Sequence, residues 1–309
     1  TAMRPLLSSR LGPARRPSSS LQRRLARGLC SGVDTAPVLV ERRGKVAVLR
    51  LNRPASLNAM TAEMGDAFAE AVGQLSADTD EVGTVVVTGA GTAFSAGGDM
   101  SFLHARGRDS PWRNMQVMRR FYERFLCVRK LPVPVIAAIN GPAVGAGLCL
   151  ALACDVRVAS PAAKMGVTFV GLGLHPGMGC THFLPQTVGP QVAARMMLTG
   201  EMVGGAQALR EGLVAALEDD PEQAAVALAS RMAEQAPIAV RTCVRSLRMA
   251  QDAALDTALW READAQAHCY AGPDYREGLR ALTARPRQPA AFVQYEGCAD
   301  EPPTHAWPG

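Results

Sequence analysis

The chain has 309 residues, 48% hydrophobic and 20% charged, enough for one large core or two small ones. No uninterrupted apolar run reaches the roughly 18 residues that a membrane-spanning helix needs. The formal charge is +5, yet residues 1–33 hold seven arginines and no acid, so 34–309 carry a formal −2 and the folded part is not built to bind nucleic acid.

The leader, residues 1–33, is rich in Arg and Ser and lacks a long apolar stretch. That is the composition of an organellar transit peptide, mitochondrial-matrix before plastid, rather than a secretory signal; the plain alternative is a basic tail. A leader of this kind that was retained and ordered would need a partner surface to offset its entropy, such as other mitochondrial subunits. The eight cysteines form no CxxC pair and no zinc-like cluster, so reduced thiols packed as small hydrophobes are expected. No metal and no resident cofactor is implied.

Val46–Leu51 reads as a strand ended by Arg53-Pro54. Thr61 caps a helix running to about Leu75. Thr84–Thr88 is a short buried strand, followed by the glycine-rich loop GAGTAFSAGGDM over 89–100. A helix is expected over Asn114–Arg129, a strand over Val133–Ile139, a turn at Asn140-Gly141-Pro142, a helix from Ala146 to about Ala153 and a strand over Asp155–Ala159. Residues 189–235 read as successive helices broken at glycines, and 236–278 as strongly helical. Strands alternating with helices imply parallel βαβ units. The domain reading is leader 1–33, core 34–235, helical region 236–292 and tail 293–309.

Eight motifs then stand in one order. They are Leu51-Asn52-Arg53-Pro54 with Leu57-Asn58-Ala59-Met60; Gly89 through Ala93-Phe94-Ser95-Ala96-Gly97-Gly98-Asp99-Met100; Pro134–Gly141; Ala151 through Cys154-Asp155-Val156-Arg157-Val158-Ala159; Gly173 through Pro176-Gly177-Met178-Gly179; Leu198-Thr199-Gly200; Ala206 through Glu211-Gly212-Leu213-Val214; and Arg276-Glu277-Gly278. This succession resembles the enoyl-CoA hydratase/isomerase, or crotonase, family over about Val38–Phe292. The resemblance implies an α/β fold of repeated ββα spiral units, with a C-terminal helical region that builds a homotrimer or a dimer of trimers. It implies acyl-CoA as ligand, with coenzyme A entering as part of the substrate.

By that resemblance the backbone N–H groups of Gly98 and Ala146 polarise the thioester carbonyl. Main-chain donors need close backbone approach, which Gly and Ala permit. Leu57, Ala59, Ala96, Gly97, Gly98 and Asp99 would contact CoA, and Arg285 and Arg287 are candidates for its 3′-phosphate. The family's two catalytic glutamates fall, by motif, on Cys149 and Phe169, and an alternative aspartate position falls near Gly177. A hydratase needs a positioned acid and base. His175 is the best remaining titratable group; His182 and Asp99 are weaker, and Cys149 reads as core rather than nucleophile. Two functions follow: an acyl-CoA enzyme of hydratase or isomerase type, or an inert accessory or scaffold subunit of a larger mitochondrial assembly.

Overall fold

Val46–Leu51 (β2) is an uninterrupted apolar run except for Arg50, and such a run suits a strand covered on both faces. It sits in a six-stranded sheet of the computed structural model, which describes residues 35–78, 80–286 and 288–292. The leader 1–33, the tail 293–309 and Arg287 lie outside the described residues, with the expectations attached to them. The strand order is β1-β2-β3-β4-β6-β9, from Val38–Arg43 (β1), β2, Thr84–Gly89 (β3), Val135–Ile139 (β4), Val156–Ala159 (β6) and Ala216–Leu217 (β9). All neighbours are parallel except β1, which runs antiparallel to β2. The edge strand β1, not anticipated from sequence, has exposed Glu41, Arg42 and Arg43, charges that discourage further pairing.

A second layer holds Ala143–Val144 (β5), Lys164–Gly166 (β7) and Met202–Gly204 (β8), in the order β5-β7-β8. Single bridges extend it: Ser95 pairs with Ala143, and Met60 with Gly98. Successive passes of the chain thus leave one strand in the large sheet and a shorter piece in the second layer, the spiral that the family resemblance implies.

Alternate side chains of the large sheet point to opposite faces. Ala47, Leu49, Leu51, Val85, Val87, Val135, Ala137 and Ile139 join the main core. There they meet the helices Ala62–Ala77 (α1), Pro111–Leu126 (α3) and Ala146–Leu152 (α4) through Met64, Phe68, Phe121, Phe125 and Leu148. Val46, Val48, Val86, Ile136, Ala138 and Val158 face the other way, onto Ala225 and Ala229 of the helix Pro221–Ala233 (α8). Each large apolar side chain so buried contributes about 1.5–3 kcal/mol.

Thr61 caps α1 as expected, its hydroxyl accepting the Met64 N–H. The helix expected from Asn114 begins earlier, because Ser110 caps it and Pro111 suits its first turn. Its last residues, Cys127–Lys130, tighten into a 3-10 turn. A short helix, Met100–Arg106 (α2), follows the glycine-rich loop and is capped by Asp99. The remaining helices are Cys180–Val188 (α5), Pro190–Thr199 (α6), Gly205–Arg210 (α7), Pro237–Gln251 (α9), Leu255–Ala271 (α10) and Pro273–Thr283 (α11). Among the described residues, no helix is long and apolar enough to cross a membrane.

The C-terminal helices are tied to the sheet by a buried ion pair. Arg248 of α9 is 6% exposed and donates to both carboxylate oxygens of Asp155 and to the carbonyls of Arg129, Leu131 and Val133. Asp155 in turn accepts the Val135 N–H at the start of β4. Removing the cation would leave three carbonyls without this donor and the carboxylate with the Val135 N–H and Arg129 at 3.8 Å. Arg248→Met is expected to lower unfolding stability by about 3–5 kcal/mol, read as the shift of a urea unfolding curve.

Candidate functional site

The two loops that carry the family-like glycines meet main chain to main chain, Phe94 and Ser95 donating to the Pro142 carbonyl and Val144 to that of Ser95. The Asn58 side chain, fully buried, ties the 53–60 loop to the first of them: its Oδ1 accepts the Arg53 N–H at 2.9 Å, and its Nδ2 donates to the Ala90 and Ala93 carbonyls at 2.9 and 2.8 Å. Its own backbone is left-handed, φ +55°, beside Leu57 at φ +51°, a conformation that Asn tolerates better than most residues. The Ser95 hydroxyl donates to the Asn58 carbonyl. Asn140 adds a second clasp, donating to the carbonyls of Gly89 and Gly91.

Along this seam Leu57, Ala59, Ala96, Gly97, Gly98 and Asp99 come together. The Ala96 N–H donates to Leu57, Met60 to Gly97, and Asp99 to Met60, while Gly97 donates to the Ser95 hydroxyl. The Asp99 carboxylate accepts the Ser101 N–H and pairs with Arg53 at 3.2 Å, which itself donates to the Ala59 carbonyl. Asp99 is therefore occupied as a cap and loop tie. The Gly98 N–H donates to no protein acceptor among the described residues.

Opposite lies the start of α4. Gly145, at φ +53°, turns the chain into it, and Ala146 is its first residue. Ala146 has no positive φ, so its Cβ is accommodated without strain. First-turn N–H groups of a helix have no acceptor within it, and the Ala146 N–H is likewise uncommitted among the described residues. The two loops are close: a Cβ on Gly97 would lie 2.7 Å from the Val144 carbonyl oxygen and 3.6 Å from the Ala146 nitrogen. One on Gly147 would lie 2.6 Å from the Ser95 carbonyl oxygen. Leu103 of α2 flanks Gly98, and the tip of the Phe169 ring approaches Gly145.

Cys149 lies one turn into α4, fully buried, its Sγ 3.3 Å from the Gly177 carbonyl. Burial first, and then the neighbouring Cys180 thiol, push its pKa well above the ordinary thiol range. That argues against a nucleophile. Gly177 has no room for a side chain: a Cβ there would stand 2.3 Å from the Tyr122 hydroxyl and 2.6 Å from the Gln266 amide nitrogen. Tyr122 donates to Gln266 Oε1 at 2.8 Å, and Gln266 donates to the His175 carbonyl at 2.7 Å. The volume beside Gly177 is thus filled by two neutral polar groups.

His175 is half-buried, with Nδ1 2.6 Å from the Pro176 carbonyl. A carbonyl only accepts, so Nδ1 carries the proton and Nε2 is left as an acceptor. Burial lowers its pKa below the usual 6.5. His182 instead holds the Gln251 carbonyl with Nε2. Arg285 is exposed, and its Nη1 donates to the carbonyls of Leu282 and Ala284.

Sequence reasoning passed over Tyr122, Gln266 and Glu262. The signal was present in α10: Leu259, Glu262, Ala263, Gln266, Ala267 and Tyr270 form one buried stripe at helical spacing, with two polar residues in it. No group of three or more His, Cys, Asp or Glu able to hold a metal ion occurs among the described residues.

Comparison with known proteins bears on the family and the fold. The family model described as "Enoyl-CoA hydratase/isomerase" matches residues 41–289. A protein of Mycobacterium tuberculosis named "Probable enoyl-CoA hydratase echA14" is 45% identical over 194 residues, 63% of this chain and 74% of that one. The "Short-chain-enoyl-CoA hydratase" of Clostridium acetobutylicum is 34% identical over 252 residues, covering 79% and 94%. The crystal structure of an enoyl-CoA hydratase/isomerase from Mycobacterium paratuberculosis superposes with a TM-score of 0.73 at 30% identity, over 79% of this chain and 97% of that one.

Asn58→Ala is expected to cost about 1–3 kcal/mol, because it orphans a buried N–H and two carbonyls; a urea curve reads it. The depressed His175 pKa also has a sign. Above pH 6.5 the imidazole is neutral in both states and its contribution is complete. As pH falls below that value the unfolded chain takes the proton first, and the contribution is lost. Stability of the wild type measured between about pH 4 and 7 is expected to fall more steeply on acidification than that of His175→Asn.

Proposed function

The chain belongs to the enoyl-CoA hydratase/isomerase family, and from that premise we propose that it binds an acyl-CoA thioester and polarises its carbonyl with the Gly98 and Ala146 N–H groups. The observation that carries this reading is the pair of uncommitted donors on two loops pinned main chain to main chain. A thioester carbonyl accepting both would gain enolate character, and fixed donors require no reorganisation as charge develops. Ala146 adds the positive end of the α4 dipole. The CoA portion would run along Leu57, Ala59 and Ala96–Asp99, where Leu57 is 46% exposed. Arg285, exposed, would meet the 3′-phosphate with its Nε and Nη2 groups while Nη1 holds the Leu282 and Ala284 carbonyls.

In this reading the pair of carboxylates that handles water is missing. Cys149 and Phe169 stand where the family motifs carry glutamate; Phe cannot move a proton, and the Cys149 thiol is buried with a raised pKa. A positioned acid or base contributes ~10²–10⁴-fold, so hydration should run far below rates of members with both. What remains is enolate stabilisation, with the neutral His175 Nε2 as the available base. The leader composition supports a mitochondrial-matrix address, and the family resemblance supports trimeric assembly.

Calorimetric titration of the full chain with crotonyl-CoA and with CoA tests the reading. The thioester is expected to bind tighter than CoA, and its bound carbonyl stretch to shift to lower frequency. Ala146→Pro removes one donor at a helix position where Pro is tolerated, and should abolish most of that shift. Crotonyl-CoA hydration at ordinary family rates would overturn the missing-carboxylate argument. Binding without any turnover would support an accessory role.

A further inference from the structure

Glu262 is the one carboxylate fully buried among the described residues, and nothing in the proposed chemistry uses it. It lies on α10, in the C-terminal helical region. Its Oε2 accepts the Gly179 N–H at 2.6 Å; its Oε1 accepts the Thr181 N–H at 2.8 Å and the Thr181 hydroxyl at 2.6 Å. Three donors satisfy a charged carboxylate, and the dipole end of α5 favours it there. Burial raises its pKa above the ordinary carboxylate value, and the bonds from Thr181 and Gly179 offset only part of that rise.

One turn along the same helix, Gln266 holds the His175 carbonyl and the Tyr122 hydroxyl. Glu262 and Gln266 therefore clamp both ends of the segment 175–181. Between the clamps Met178 is held at φ +61°, a left-handed conformation that a residue with a side chain resists. The clamped segment meets α4 at Cys149, one turn from Ala146: the Gly177 carbonyl lies 3.3 Å from its thiol, and the Cys180 thiol neighbours it.

We propose that Glu262 is a positioning residue for the thioester site, acting through the Gly179–Thr181 backbone and the Gly177–Cys149 contact to hold α4 and its Ala146 N–H in register with Gly98. This rests on the oxyanion reading of Gly98 and Ala146. Glu262 touches no reacting atom; it fixes a strained loop, and the loop fixes the helix that carries a donor.

The test uses the full chain and two ligands, crotonyl-CoA and CoA. The readouts are the dissociation constant of each, the carbonyl stretch of the bound thioester, and the melting temperature. For Glu262→Gln and Glu262→Ala, CoA affinity is expected to stay within about twofold of wild type. The extra affinity of the thioester should fall about tenfold, about 1.4 kcal/mol, with loss of most of the carbonyl shift. Added formate should restore part of both in Glu262→Ala, by supplying a carboxylate to the vacated N–H groups. Glu262→Asp, which keeps the charge on a shorter arm, should lie between. A lowered melting temperature with carbonyl shift and thioester increment both intact would make Glu262 a brace of the fold and overturn the proposal. A wild type with no thioester increment and no carbonyl shift would instead overturn the oxyanion reading on which the proposal rests.

Discussion

Main-chain contact without intervening side chains is the constraint on which the rest depends. At Gly89, Gly97, Gly141 and Gly147 a single added carbon would stand 2.0–2.7 Å from a carbonyl oxygen of the neighbouring loop. No rotamer adjustment relieves a collision with backbone. Gly97 adds a second demand, φ +90°, which a side chain would resist. The spiral brings these loops together, backbone bonds of Phe94 and Ser95 to Pro142 and of Val144 to Ser95 join them, and the buried Asn58 amide steadies the first by serving three main-chain groups at once. Two N–H groups can then face a ligand without competing for protein acceptors.

A second constraint runs from the C-terminal helices inward. Burying Glu262 and Gln266 in the stripe of α10 is unfavourable unless each polar atom is satisfied. All the carboxylate oxygens are, and the partners are main-chain groups of the segment 175–181. The helical region is thus bonded to the loop beside α4, while Arg248 of α9 is bonded to the edge of β4 through Asp155. Both ties use directional bonds, which fix a register that apolar contact alone leaves soft.

The large sheet was legible in the sequence because its strands are continuous apolar runs: β2 matches residue for residue, and β3 extends one residue to Gly89. The strands β5, β7, β8 and β9, of two or three residues each, carry no periodic pattern and exist because the spiral sets them side by side. The edge strand β1 was missed because half of it is charged. In the site, the glycine-rich loops and Ala146 were legible through family-like motifs, and the uncommitted state of their N–H groups needed coordinates. Glu262 could have been suspected from helical spacing alone. Its partners could not, since Gly179 and Thr181 are 83 and 81 residues away in sequence.

The groups packed beside Gly177 have a chemistry of their own. The Tyr122 hydroxyl is pushed well above the ordinary phenol range by burial, and the Cys149 thiol likewise. Near neutral pH both are hydrogen-bonding groups rather than proton carriers. Gln266, which links Tyr122 to the His175 carbonyl, has no proton to exchange. The Glu262 carboxylate is buried and engaged by three donors of Gly179 and Thr181. The polar groups beside Gly177 are thus held as hydrogen-bonded dipoles, with the His175 Nε2 as the remaining acceptor among them.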